Sequence, residues 1–397
     1  MTVPLQPTAA SPDALTTAPA GAAAPMVNMP TVVAPLPPAP PMEFPLGWML
    51  EHAALPLRYR AIADVAHLSE EVVRAASWMP YAHRPALVLA LAQHPDGTWG
   101  GSMLGVPKAG AHWPEGVGTI QAVRRLLEYG WDRESPPLQH ARRLLFRLLA
   151  EDDDPAYLFE FAADARDEEM VRRGRLILRE AAAATLAQAG YERDPRLRGA
   201  ALRILERVGD FVRSPDAQKP WVRVGNKQVL PAEAAPPSIY SLTMLAHMPL
   251  FCSEHGEVMD RLYDYVSQPL PRQEPVQVVG DHLVEQPHLV LGDPLPHRNA
   301  ADADVPTAVA WLELMARLNF LRRCEHWVKL YERFLDDRDR DGVWHPHKGD
   351  EPPHTDNPFV WPAFPLGQRD RPQFHRADVT FRLGLIARLS GRAIELT

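Results

Sequence analysis

Twice in this chain a helix-forming segment runs into an Asp-Gly-x-Trp turn and is answered by a second helix, a recurrence that narrows the fold more than any other feature. The first turn is His94-Pro95-Asp96-Gly97-Thr98-Trp99, after the apolar run Ala86-Leu87-Val88-Leu89-Ala90-Leu91. A helix then opens at Thr119 and stops at Gly130. The second turn is Asp339-Arg340-Asp341-Gly342-Val343-Trp344, after a helix predicted over 324–335. Its answering helix is predicted to open at Asp378-Val379-Thr380 and to stop at Gly391. Glycine accepts the backbone of a tight turn, aspartate bonds back to nearby amides, and tryptophan lays about 200 Å² of ring onto neighbouring helix ends. Internal repetition of a helix pair is the simplest account.

Apolar residues at three- and four-residue spacing predict further helices over 138–150, 168–189, 195–212, 238–249 and 257–267. Another starts at Ser69-Glu70-Glu71 and is closed by Pro80. Only 276–291 reads as a β-hairpin, within a proline-rich stretch around 270–300. Residues 1–45 hold twelve of the 42 prolines and almost no charge, which predicts a disordered or polyproline-II arm. That arm reads either as a solubilising tail or, through Met26, Val27, Met29, Val32 and Val33, as a strap for a protein partner. Residues 46–397 are predicted to form a single helical domain.

At 46% hydrophobic residues the chain has material for a large core, and no apolar run reaches the roughly 18 residues of a membrane span. A net charge of −8 argues against a nucleic-acid partner. Cys252 and Cys324 have neither disulfide-framework nor metal-ligand spacing and fit a reducing compartment. With no secretory-signal pattern at the N-terminus, a cytoplasmic protein is expected.

Gln93 precedes Gly97 and Trp99 with the spacing Gln-x-x-x-Gly-x-Trp, which resembles the QW motif of squalene and hopene cyclases. In the second copy Arg338 stands in the glutamine's place. Over residues 85–130 and 305–391 the chain resembles the terpenoid cyclase and protein prenyltransferase superfamily. The resemblance implies an α/α toroid, a double ring of helices around an apolar central cavity, with an isoprenoid-like molecule bound or processed inside. A HEAT-like α-solenoid is the alternative architecture, and a non-catalytic scaffold or partner-binding protein is the alternative function. A glycan-active enzyme rests on fold analogy alone.

Within that family a cyclase acid is an Asp-x-Asp-Asp cluster, and the nearest sequence here is Glu151-Asp152-Asp153-Asp154, which departs at its first residue. A charged turn capping a helix at Asp154-Pro155 explains the same residues without catalysis. Other members hold diphosphate through magnesium, or zinc through Asp, Cys and His, but neither cysteine has the matching context. Asp337, Asp339 and Asp341 before Gly342 spell the first half of a calcium loop, with Lys348 where the closing glutamate belongs. A looser calcium site could use Asp350 or Glu351, and His345, His347, His354 and Asp356, with Asp350 and His375 nearby, form a ligand-dense segment suited to zinc or another divalent ion. The acidic segment also reads as a solvated turn at the rim, and the histidine segment as a loop without metal. Trp99, Trp113, Phe359 and Trp361 are the candidates to line a cavity, Phe359 and Trp361 foremost because they sit on irregular backbone, whereas Trp311 and Trp327 read as core. No Ser-His-Asp elbow, phosphate-binding glycine loop or dinucleotide fingerprint occurs.

Overall fold

A computed structural model of the chain describes residues 40–108, 110–150, 167–295, 297–347, 353–367 and 372–397. Strand β1 (Met42–Phe44) leads into α1 (Leu46–His52) and α2 (Leu55–Arg60), and α2 continues as a π turn over Ala61–Val65. Helices α3 (Glu70–Ala76), α4 (Met79–Ala82) and α5 (Arg84–Leu91) precede the first tryptophan turn. After it come α6 (Thr119–Glu128), α7 (Pro136–Leu148) and the long α8 (Glu168–Gln188) and α9 (Pro195–Arg213). A hairpin of β2 (Val222–Val224) and β3 (Lys227–Val229) separates these from α10 (Ile239–Ala246), α11 (Pro249–Glu254) and α12 (Gly256–Val266). A second hairpin, β4 (Val276–Val279) with β5 (His282–Glu285), precedes α13 (Arg298–Ala303), α14 (Val305–Arg317), α15 (Glu325–Asp336), α16 (Pro372–Leu389) and β6 (Ile394–Leu396). The protein is mainly helical, and no described helix is long and apolar enough to cross a membrane.

Local chemistry sets most boundaries. Asp167, Asp194 and Asp304 each accept an amide from the first turn of α8, α9 and α14, and Ser238 with Ser241 forms a capping box on α10. Gly130 takes the left-handed conformation that stops α6, as its sequence predicts. Three expectations need correction. Helix α16 begins at Pro372, not Asp378, because Asp378 spends its carboxylate on the Leu366 and Gly367 amides and caps nothing on its own helix. Helix α3 stops at Ala76, and Pro80 sits in the first turn of α4, where a missing amide costs nothing. The β2–β3 hairpin, turning at the two-residue signal Gly225-Asn226, is a second one beside the single hairpin expected over 276–291.

The boundary of the proline-rich segment also moves. Met42 and Phe44, inside the stretch expected to be disordered, are fully buried, because β1 pairs in parallel with β6 across most of the sequence. The pair is tied by Met42 to Ala393 and Thr397 to Phe44.

Helix α6 packs against α8, α8 against α10, α10 against α14, α14 against α16, and α16 against α2 and its π turn. Helices α6 and α10 are buried nearly all round, nine of ten residues in α6, so polar residues on them face protein rather than water. Ala181, Ala182, Ala183 and Ala184 on α8 are fully buried, and such small side chains let α10 approach closely.

The two tryptophan turns are tied to the following helix in the same way, while aspartates at different positions hold their amides. The Trp99 amide donates to the Thr119 hydroxyl on α6 at 3.0 Å, and the Trp344 amide to the Thr380 hydroxyl on α16 at 3.0 Å. Asp96 accepts the Thr98 amide, and Asp339 accepts those of Asp341 and Val343. Gln93 reaches Pro137 O, at the start of α7, at 2.9 Å, and Arg338 reaches Glu43 O, just ahead of α1, at 2.6 Å. The arginine thus does the glutamine's job of tying the turn to an adjacent element, while the threonine ties it to the helix that follows.

Candidate ligand cavity

Helices α6, α8, α10, α14 and α16 contribute to the wall of a cavity of about 330 Å³, completed by residues between Leu270 and Pro294 and by the loop around Phe359. Much of the wall is apolar, from Ile239, Leu289, Leu291, Trp311, Leu314 and Phe359. Against it stands a buried ionic network.

Arg382, on α16, donates to Glu128 of α6 at 2.6 Å and to Glu313 of α14 at 2.7 Å. Arg60 of α2 donates to Glu128 at 2.6 Å and to Asp64 at 2.7 Å, and Arg317 donates twice to Glu313. Gln188 of α8 gives its amide to the other Glu128 oxygen at 2.7 Å and takes Arg124 Nε at 3.2 Å. Burial alone would raise the Glu128 carboxyl, but Arg382 and Arg60 outweigh it and hold it well below the carboxylate range. For Glu313, burial is likewise overcome by Arg382 and Arg317. Both glutamates therefore stay ionised at neutral pH and act as anchors, not proton donors.

His247 hydrogen-bonds Thr243 O through Nδ1 at 2.9 Å; a carbonyl only accepts, so Nδ1 carries the proton and Nε2 is the bare nitrogen. Burial and the nearby Arg317 push its pKa down to about 4, which keeps the ring neutral. Burial, with Arg173 and Arg207, takes His288 to about 3. Away from the cavity wall, burial and Glu192 push the Cys252 thiol up to about 12, so it is no nucleophile. The cavity's described residues supply fixed charge, neutral polar groups including His247 Nε2, and apolar surface.

Of the aromatic residues singled out from sequence, Phe359 is in the cavity wall, edge-on to Tyr240. Trp99 is not; it is 1% exposed and donates to Leu89 O, clamping the turn to α5. Trp113 and Trp361 also lie outside the wall, facing each other at 6.1 Å, and the Trp361 carbonyl accepts Arg125 of α6 at 2.6 Å. Trp311, expected as core, is both buried and part of the wall.

The metal-ligand expectations are not met among the described residues, where no three His, Cys, Asp or Glu side chains converge. His345 pairs with Asp339 at 2.6 Å and His347 with Asp337 at 3.3 Å, while His354, Asp356 and Asp341 are exposed. Asp339 turns one oxygen to backbone amides, as a turn-forming aspartate does, instead of presenting it to an ion. His375 is buried on α16 beside Phe364. The acidic cluster Asp152, Asp153 and Asp154 lies outside the described residues, as do Asp350 and Glu351.

The network itself was missed from sequence. Its signal is a charged residue inside an otherwise apolar helical run, as in Trp311-Leu312-Glu313-Leu314-Met315 and Phe381-Arg382-Leu383. Compared with protein families, curated proteins and solved structures, the chain matches no family model, no curated protein and no solved structure.

Proposed function

We propose that the chain is an α/α toroid whose central cavity binds an apolar, isoprenoid-like small molecule. The observation that carries the reading is the cavity itself, whose apolar wall comes from α10, α14 and the segments around Leu289 and Phe359, of a volume within the ~300–1,000 Å³ usual for small-molecule sites. The toroid is supported by the order of packing, which runs from α6 through α8, α10, α14 and α16 to α2, with Arg60 tying α2 back to Glu128 on α6. In a HEAT-like solenoid each repeat touches only its neighbours, so the first and last helices stay apart. Here α16 packs on α2 and β6 pairs with β1, which favours the toroid. The threonine tie shared by the two tryptophan turns supports the same reading.

A ligand body burying roughly 200 Å² of apolar surface gains about 5 kcal/mol, less the cost of association. The test is displacement of a neutral fluorescent probe, Nile red, by the uncharged isoprenoid alcohol farnesol, in wild-type protein and in a cavity-filling Leu314→Trp variant. We expect farnesol to compete in the wild type and the variant to bind neither compound. Failure of farnesol and of its carboxylic acid, farnesoic acid, alike to displace the probe or bind, with the wild type folded, overturns the reading.

A further inference from the structure

We infer that the ligand carries a single negative charge, a carboxylate-sized head group held by Arg124, while its apolar body fills the rest of the cavity. The inference rests on the cavity being a ligand site and names the class of molecule that site takes.

Arg124 is 8% exposed and lines the cavity, yet among the described residues no carboxylate lies within salt-bridge reach of it. Its Nε donates to Gln188, and its two terminal nitrogens make no hydrogen bond to the described residues. Glu128 stands one turn on along α6, at the i,i+4 spacing where an arginine normally finds its partner. That partner is already engaged by Arg60 and Arg382, and Gln188 stands between the two, its amide nitrogen on Glu128 and its oxygen on Arg124. The guanidinium is thus fixed through Nε with its fork left free, and a planar fork matches a carboxylate with two parallel hydrogen bonds.

The charge count of the network sets the ligand's charge. Arg60, Arg124, Arg317 and Arg382 face three carboxylates, Asp64, Glu128 and Glu313. One cation is left over, and it is the one that lines the cavity without a counter-ion. A buried uncompensated charge is unfavourable, and an incoming monoanion would neutralise it. An uncharged alcohol would leave it unanswered, and a dianion would reverse the imbalance.

The experiment compares three ligands of one chain length, farnesol, farnesoic acid and farnesyl monophosphate, at a pH where the phosphate is dianionic. Wild-type protein is used with Arg124→Met and Arg124→Lys, each checked by thermal melting. We expect the acid to bind the wild type about ten- to hundredfold more tightly than the alcohol. In R124M that preference should collapse to about twofold or less, and R124K should retain part of it. Equal affinity for acid and alcohol in the wild type overturns the inference while leaving the apolar-cavity reading intact. So does a preference that survives in folded R124M. Binding of the phosphate about tenfold above the acid overturns the single-charge assignment. If neither acid nor alcohol binds, both proposals fall together. Should R124M not fold, the wild-type comparison decides alone.

Discussion

Arg382 answers two carboxylates at once, and that is why Glu128 and Glu313 keep their charge in a site where burial alone would neutralise them. His83 has no such help. It is 7% exposed, its Nε2 has no hydrogen-bond partner among the described residues, and burial together with Arg125 lowers its pKa from 6.5 to about 4. The unfolded chain therefore binds a proton at this position before the folded chain does. The associated stability is complete above pH 6.5, falls as pH drops through the window, and reaches its loss near pH 4. His83 alone carries up to about 3 kcal/mol by this route, and the depressed His288 adds in the same direction. Denaturant unfolding at pH 7, 5.5 and 4 should show the loss, with a shallower pH dependence in His83→Phe. Parallel pH profiles for wild type and variant would remove His83 as the cause. At this scale the sequence was legible where a residue's type and setting agree. Phe359, an aromatic ring on irregular backbone, was singled out and lines the cavity. Arg124 and Glu313 read as ordinary charged helix residues, because their importance comes from partners far away in sequence, such as the Arg382 to Glu128 bond.

The tryptophan turn is the element on which two distant parts of the chain agree. Its ring packs, but its backbone amide also needs an acceptor, and a threonine hydroxyl on the following helix provides it in both copies. Trp99→Ala should cost about 3–5 kcal/mol through lost burial and the cavity left behind. Thr119→Val and Thr380→Val, which keep shape but strand a buried amide, should each cost about 1–3 kcal/mol, and similar values at the two sites would mark the turns as equivalent. Urea midpoints of the variants give these costs, and a neutral Thr119→Val would show that the amide finds another acceptor. Long periodic helices such as α8 and α9 were legible within a residue or two, because their apolar spacing spans several turns. The three-residue strands were not: β1 and β6 have no periodicity to read, and they become strands only by meeting each other.

For the described fold as a whole, that meeting joins its first strand to its last. Deleting residues 393–397 should strip β1 of its partner, uncover Met42 and Phe44, and destabilise the protein by about 3–6 kcal/mol, at roughly 1.5–3 kcal/mol for each exposed side chain. Hydrogen exchange should then rise in α1 and around Gly342, whose turn rests against Pro45. Exchange confined to β1, with no loss of melting temperature, would mean the strand pair is an ornament on an already secure body. The same pairing has a consequence during synthesis. Arg392 bonds Pro40 O across a separation of 352 residues, an interval that takes about 20–70 s to translate. Throughout it, the two apolar side chains of β1 wait without their mate. The seam thus stays open until residues 393–397 are made, a period in which chaperones have something to hold and after which those residues act as the latch.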